Sequence, residues 1–132
     1  MANTLQFDLV SPERKLASVQ ATEVQIPGTD GDMTAMEGHA ATITTLRPGI
    51  LKAVSAQGTQ AFAVTGGFAE ITASGVTVLA ERAIPVDDLS GTILDAMVQE
   101  ARDLAALAPA DMKDTAEKTL QDILALRQHT AH

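Results

Sequence analysis

The sequence predicts a mainly β chain with a helical tail, a small β-sandwich followed by an acidic antiparallel two-helix hairpin. Apolar and polar residues alternate in short segments from Thr4 to Ala83, and after Pro85 the repeat lengthens to helical spacing. Turn formers punctuate the first part about every ten residues, as in an all-β sandwich or barrel. The division falls into a β domain over residues 1–85 and a hairpin over 86–132.

Leu5, Phe7 and Leu9 alternate with Gln6 and Asp8 until Ser11-Pro12 breaks the run. A second strand segment, Lys15 to Ile26, puts Val24 and Ile26 on one face and stops at Pro27-Gly28. Gly31 to Ala40 is rich in loop formers and reads as a connection. Further strands are expected at Thr42 to Leu46, Ile50 to Val54, Gln60 to Thr65, Phe68 to Thr72 and Val76 to Ala80. Their separators, Arg47-Pro48-Gly49, Ser55-Ala56-Gln57-Gly58, Gly66-Gly67 and Ala73-Ser74-Gly75, each contain glycine, which tolerates the φ values of tight turns. A meander of antiparallel hairpins is the economical arrangement.

Val86-Asp87-Asp88 supplies carboxylates suited to a helix start, where they cap free N–H groups and complement the dipole. Leu89, Ile93, Met97 and Leu104 share one arc of the helical wheel, interrupted by Glu100, and Ala108-Pro109-Ala110 ends the helix. Asp111 is the expected cap of a second helix, with Met112, Ala116, Leu120 and Ile123 on its apolar line and Arg127 continuing it towards solvent. The short connection makes the two helices antiparallel, packed on each other or on the sandwich.

At 132 residues the chain can form one compact core, and with Phe7, Phe62 and Phe68 as its sole aromatics that core must be built from small aliphatic side chains. Cysteine is absent, which excludes disulfides, thiolate nucleophiles and cysteine-ligated zinc and fits a cytoplasmic address. Met1-Ala-Asn-Thr-Leu has no signal-peptide character, and no apolar run is long enough for a membrane span, so no membrane insertion is expected. A net charge of −8, with no basic patch, argues against nucleic acid or anionic lipid as partner. Residues 1–85 carry five Lys/Arg against eight Asp/Glu, and residues 86–132 four against nine.

No catalytic constellation assembles from these residues. Of the histidines His39, His129 and His132, only His39 has carboxylates near it in sequence, and Asp30, Asp32 and Glu37 do not follow EF-hand spacing. The serines lie in no nucleophile elbow, and no glycine-rich segment carries the lysine of a phosphate loop. Asp87-Asp88 is explained by the helix start, and Gly66-Gly67 by a turn or a close approach between strands. Neither a metal nor a cofactor is expected.

Three segments in order, Leu9-Val10-Ser11-Pro12-Glu13, Val24-Gln25-Ile26-Pro27-Gly28-Thr29-Asp30-Gly31-Asp32 and Gly38-His39-Ala40, resemble the epsilon subunits of bacterial F-type ATP synthases. Leu46-Arg47-Pro48-Gly49-Ile50, Ala63-Val64-Thr65-Gly66-Gly67-Phe68-Ala69-Glu70-Ile71 and Val76-Thr77-Val78-Leu79-Ala80-Glu81-Arg82-Ala83 extend the match over nearly the whole N-terminal part. The resemblance implies a ten-stranded sandwich of two five-stranded sheets in a non-catalytic rotor subunit. Such a subunit sits at the foot of the central stalk, peripheral to the cytoplasmic face of the bacterial inner membrane, and couples rotation to ATP synthesis. Its implied partners are the gamma subunit, near Ser11, and the polar loops of the c ring, at Asp32 and His39.

This chain departs from the family pattern at Met33-Thr34-Ala35-Met36-Glu37, where relatives carry a Gly-Ile/Leu-x-Pro run, and at Ala41, where they carry proline. Helical tails of relatives either fold on the sandwich or extend, and their basic residues can then brake hydrolysis at an acidic segment of the catalytic beta subunits. Here Arg102, Lys113, Lys118 and Arg127 stand among nine acids, which predicts at most a weak brake. Some relatives bind ATP through an Ile/Leu-Asp-x-x-Arg-Ala motif. The candidate aspartate is Asp88, but Gly91 and Thr92 replace Arg-Ala, and the alternative frame Leu94-Asp95-Ala96-Met97-Val98-Gln99 also lacks the arginine that would meet phosphate. The rivals are a strong inhibitor or ATP sensor acting through the tail, and a stand-alone ligand-binding sandwich, which the lack of Trp and Tyr disfavours.

Overall fold

A computed structural model describes residues 3–129. Eight strands run β1 Leu5–Val10, β2 Lys15–Ala21, β3 Glu23–Gly28, β4 Gly31–Ala35, β5 Thr42–Thr45, β6 Gly49–Ser55, β7 Gly58–Ile71 and β8 Gly75–Pro85. Helices α1 Gly91–Leu107 and α2 Lys113–Ala125 follow. The strands pair in the order β2-β1-β8-β7-β6-β3-β4, with β5 also on β7. Because β1 lies parallel to β8, the chain's first strand is beside its last and the sheet is not the expected meander.

Among the described residues there are eight strands rather than ten, because two of them are long enough to serve both layers. β7 pairs with β6 through Gly58 to Val64 and with β5 through Phe68 to Ile71, and β8 pairs with it from Phe62 to Ile71 while its first half also pairs with β1. Gly66-Gly67 is thus a bend inside one strand and not a separator between two. Both glycines have positive φ, and a Cβ on Gly67 would stand 1.9 Å from the Leu79 carbonyl oxygen, so this crossing requires glycine. Lys15 to Ile26 is conversely two strands, broken at Thr22, and the supposed loop Gly31 to Ala40 opens with β4, paired to β3.

Period-2 alternation sends Leu5, Phe7 and Leu9 of β1, Ile26 of β3, Leu51 of β6, Val64 of β7 and Val78 of β8 into one apolar core between the layers. Ala17, Ala21, Ala35, Ala53, Ala69 and Ala80 fill the gaps there, so the layers approach closely without aromatic bulk. The opposite faces of the two layers differ. Ile50, Ala63 and Ile84 are cross-strand partners on the far side of β6, β7 and β8, and the hairpin covers them.

The hairpin starts later than the carboxylates suggested. Val86–Asp88 forms one 3-10 turn, and Ser90 is the cap of α1, its Oγ accepting from the Ile93 N–H at 3.2 Å. The buried face is Leu94, Met97, Val98, Ala101 and Ala105, a 3.6-residue stripe in which alanines let the helix lie close. Ile93 and Leu104 of the predicted arc are exposed, and Leu89 is buried but precedes the helix. Asp111 caps nothing: it lies in a 3-10 turn, Ala110–Met112, before α2. Ile123 and Leu126 are the buried residues at the C-terminal end of the hairpin, packed with Leu94, Met97 and Val98 near the start of α1, so the helices are antiparallel.

Candidate docking faces

Ser11 closes the turn between β1 and β2, where its N–H donates to the Arg14 carbonyl at 2.9 Å and its Oγ to the same oxygen at 3.3 Å. Val10, just before it, pairs with Leu79, which pairs with Phe68. Their neighbours Leu9, Val78, Ala80 and Ala69 point into the core, so this row points outward, with Phe68 and Leu79 40% or more exposed. Ile43 of β5, opposite Glu70, adds a fourth apolar side chain at 68% exposure. One of the chain's three aromatics therefore lies on the surface, in an apolar patch of the kind that marks contact sites.

Asp8 lies on the same outer face, one step along β1. Its carboxyl is held below the usual carboxylate range chiefly by the hydrogen bond from Ser18, with Gln6 and Lys15 adding to the effect and desolvation opposing it.

Asp32 and His39 sit in different places. Asp32 is the first outward residue after the two-residue turn between β3 and β4, and it pairs with Arg47. His39 follows Gly38, whose N–H donates to the Ala73 carbonyl at 2.8 Å, and its Nδ1 lies 2.6 Å from the Ala40 carbonyl oxygen. From Asp32 to Ala35 alone β4 spans about 10 Å, so the two residues do not form one cluster. Thr34 occupies β4 without a positive φ, so its position does not require glycine.

Between the hairpin and the sandwich lies a cavity of about 390 Å³ lined by Glu81, Arg82, Met97, Glu100, Leu104 and Thr119 among others. Its one guanidinium, Arg82, pairs with Glu100 at 3.1 Å, which leaves Glu81 uncompensated and gives no surplus positive charge for a phosphate chain. Asp88 is exposed in the 3-10 turn and does not line this cavity. Asp95, from the alternative frame, pairs with Arg127 at 3.2 Å, and Lys118 pairs with Asp122 at 3.0 Å. Two of the four hairpin cations are thereby engaged within the hairpin.

His129 lies in the closing 3-10 turn, and His132 lies outside the described residues. Among the described residues, no group of three or more His, Cys, Asp or Glu is placed to hold a metal, and no helix is long and apolar enough to cross a membrane. Sequence reasoning missed Arg47 as a site residue and the outer row of Val10, Leu79 and Phe68. Alternation identifies two faces of a strand but not which one another element will cover.

One outer face of the sandwich is closed by its own helices, and the other carries an exposed apolar patch beside the polar residues around Asp8, as a subunit that docks on partners would. The family model of the ATP synthase delta/epsilon chain β-sandwich domain matches residues 4–86. ATP synthase epsilon chains from Cereibacter sphaeroides and Fuscovulum blasticum are each 66% identical, over 100% and 96% of both chains respectively. That of Paracoccus denitrificans is 46% identical, over 98% of this chain and 92% of its own. The chain belongs to the ATP synthase epsilon chain family and is a non-catalytic structural subunit of that enzyme.

The fold is shared with a chain of the Euglena gracilis mitochondrial ATP synthase at a TM-score of 0.73 and 22% identity, covering 95% of this chain and 80% of that one. A chain of the Tetrahymena thermophila central stalk and c-ring matches at 0.64 and 13% identity, over 97% and 96% of the two chains.

Proposed function

We propose that this chain links the gamma subunit to the c ring, on the cytoplasmic side of the bacterial inner membrane, and transmits rotation between them. The observation that carries the reading is the outward apolar row of half-buried Val10 and exposed Leu79 and Phe68, with Ile43 beside it, on the layer that the hairpin leaves uncovered. Its occupant is the gamma subunit, which brings Ser11, next to Val10, into the interface. The turn holding Asp32 and the loop holding His39 meet polar loops of the c ring. Residues 1–85 then form the docking unit and residues 86–132 an appendage folded on its other face. Two solved relatives support the reading, since they were determined in assemblies containing a c-ring. The full chain should recover gamma and c from native membranes in a pull-down, and recovery of neither would refute the proposal.

The hairpin is at most a weak brake on hydrolysis. Lys118 and Arg127 are already paired within it, so docking on an acidic segment of the beta subunits would first have to break those contacts. Deleting residues 87–132 from the assembled enzyme should change ATP hydrolysis less than about twofold, within about 0.4 kcal/mol. A rise of tenfold or more would establish a strong inhibitor instead. The cavity's charge supports the same view of ATP, because a triphosphate there would face Glu81 and a guanidinium already committed to Glu100.

A further inference from the structure

We propose that Arg47 is the positioning residue of the β3–β4 turn, holding Asp32 in the geometry in which its partner meets it. The choice of that partner rests on the c-ring reading above; the positioning itself stands on the contacts. Arg47 reaches three points of the turn at once. Its backbone N–H donates to the Pro27 carbonyl at 2.9 Å, its Nη1 to the Gly28 carbonyl at 2.8 Å, and its Nη2 pairs with Asp32 Oδ1.

The attachment continues on both sides. Thr29 N–H donates to the Thr45 carbonyl at 2.9 Å, and Leu46 N–H to the Gly67 carbonyl at 3.0 Å. The turn is therefore lashed to the connection between β5 and β6, which is itself hung from the bend in β7. Pro48 restricts Arg47 to extended backbone, so the side chain leaves the chain in a fixed direction.

Exposure separates the two partners. The Asp32 side chain is 79% exposed and that of Arg47 27%, so an incoming protein touches the carboxylate while the guanidinium supports it from behind. An ion pair this open adds little to stability. Its effect is geometric: a planar guanidinium can serve a carbonyl and a carboxylate together, which a lysine ammonium on a flexible stem does poorly. Only Oδ1 is engaged, which leaves Oδ2 to accept from a donor on a polar c-ring loop.

The test uses full-length variants rebound to membranes whose ATP synthase has been stripped of this chain, with amide exchange measured on the free chain. Arg47→Gln should weaken rebinding about tenfold, and Arg47→Lys about as much, although it keeps the charge. Asp32→Asn should also weaken rebinding, and the double variant Asp32→Asn/Arg47→Gln should be weaker by clearly less than the product of the single effects. Exchange at the Thr29 amide should quicken several-fold in Arg47→Gln. Independent, multiplying effects, full rescue by lysine, or unchanged Thr29 exchange would each overturn the proposal. If Asp32→Asn rebinds normally while Arg47→Gln still quickens Thr29 exchange, the positioning role holds and the c-ring reading fails.

Discussion

The two outer faces of the sandwich are built alike and used differently. On one, Ile50, Ala63 and Ile84 form a cross-strand row that Leu89, Leu94, Met97, Val98, Ile123 and Leu126 cover. On the other, half-buried Val10 and exposed Leu79 and Phe68 form a row that no helix among the described residues covers. The covered row is centred on alanine, which lets helices approach. The bare row is centred on leucine and flanked by phenylalanine, large side chains of the kind that anchor protein interfaces. The difference teaches that the hairpin completes the fold on one side only, and leaves on the other the apolar surface that the proposed function assigns to a partner.

Substitutions in the two rows should therefore report in different measurements. Leu94→Ala removes a fully buried side chain between hairpin and sheet, and should cost about 2–3 kcal/mol, read as loss of amide protection in α1 and α2 while β1 and β6 stay protected. Equal loss of protection in the strands would mean that sandwich and hairpin unfold as one unit, and would weaken the contrast. Phe68→Ser, on the bare row, should change the denaturation midpoint by about 1 kcal/mol or less in free energy. A larger cost would make Phe68 part of the core rather than of an interface.

The smallest effect concerns pH. Asp8, whose carboxyl is held below its ordinary range in the folded chain, favours folding at neutral pH. That contribution is full above the ordinary carboxylate range and is lost as pH falls through the depressed folded value. Asp8→Asn should thus lower the neutral plateau of the stability curve slightly and flatten its acid limb by the same amount, as seen in urea titrations from neutral to acid pH. An unchanged acid limb would show that Asp8 titrates alike in the folded and unfolded chain.

The core strands were legible because alternation at Leu5, Phe7 and Leu9, or at Val76, Val78 and Ala80, leaves no other way to bury them. β4 was hidden because Gly31, Asp32 and Thr34 have turn composition, and its pairing with β3 overrides local preference. Gly66-Gly67 looked like a separator because a bend and a turn ask the same thing of the backbone. In α1, the large residues Ile93 and Leu104 suggested the wrong face, whereas the buried stripe includes Ala101 and Ala105, which carry little hydrophobic signal.

In the candidate site, Ser11, Asp32 and His39 are legible only through motif resemblance. Arg47 stands in one of the matching motifs, but its partners lie 15 and 19 residues away, beyond the reach of any local pattern. The outer row was not legible for a related reason: that Phe68 is bare depends on where the hairpin docks.

The central claim, that the bare row is the gamma-binding face, is tested most directly by the affinity of the full-length chain for the gamma subunit, with and without Phe68→Ser/Leu79→Ser. The account predicts a loss of about 100-fold, roughly 2.7 kcal/mol, while the circular dichroism spectrum and the hairpin's amide protection stay unchanged. Unaltered affinity in the folded double variant would contradict it.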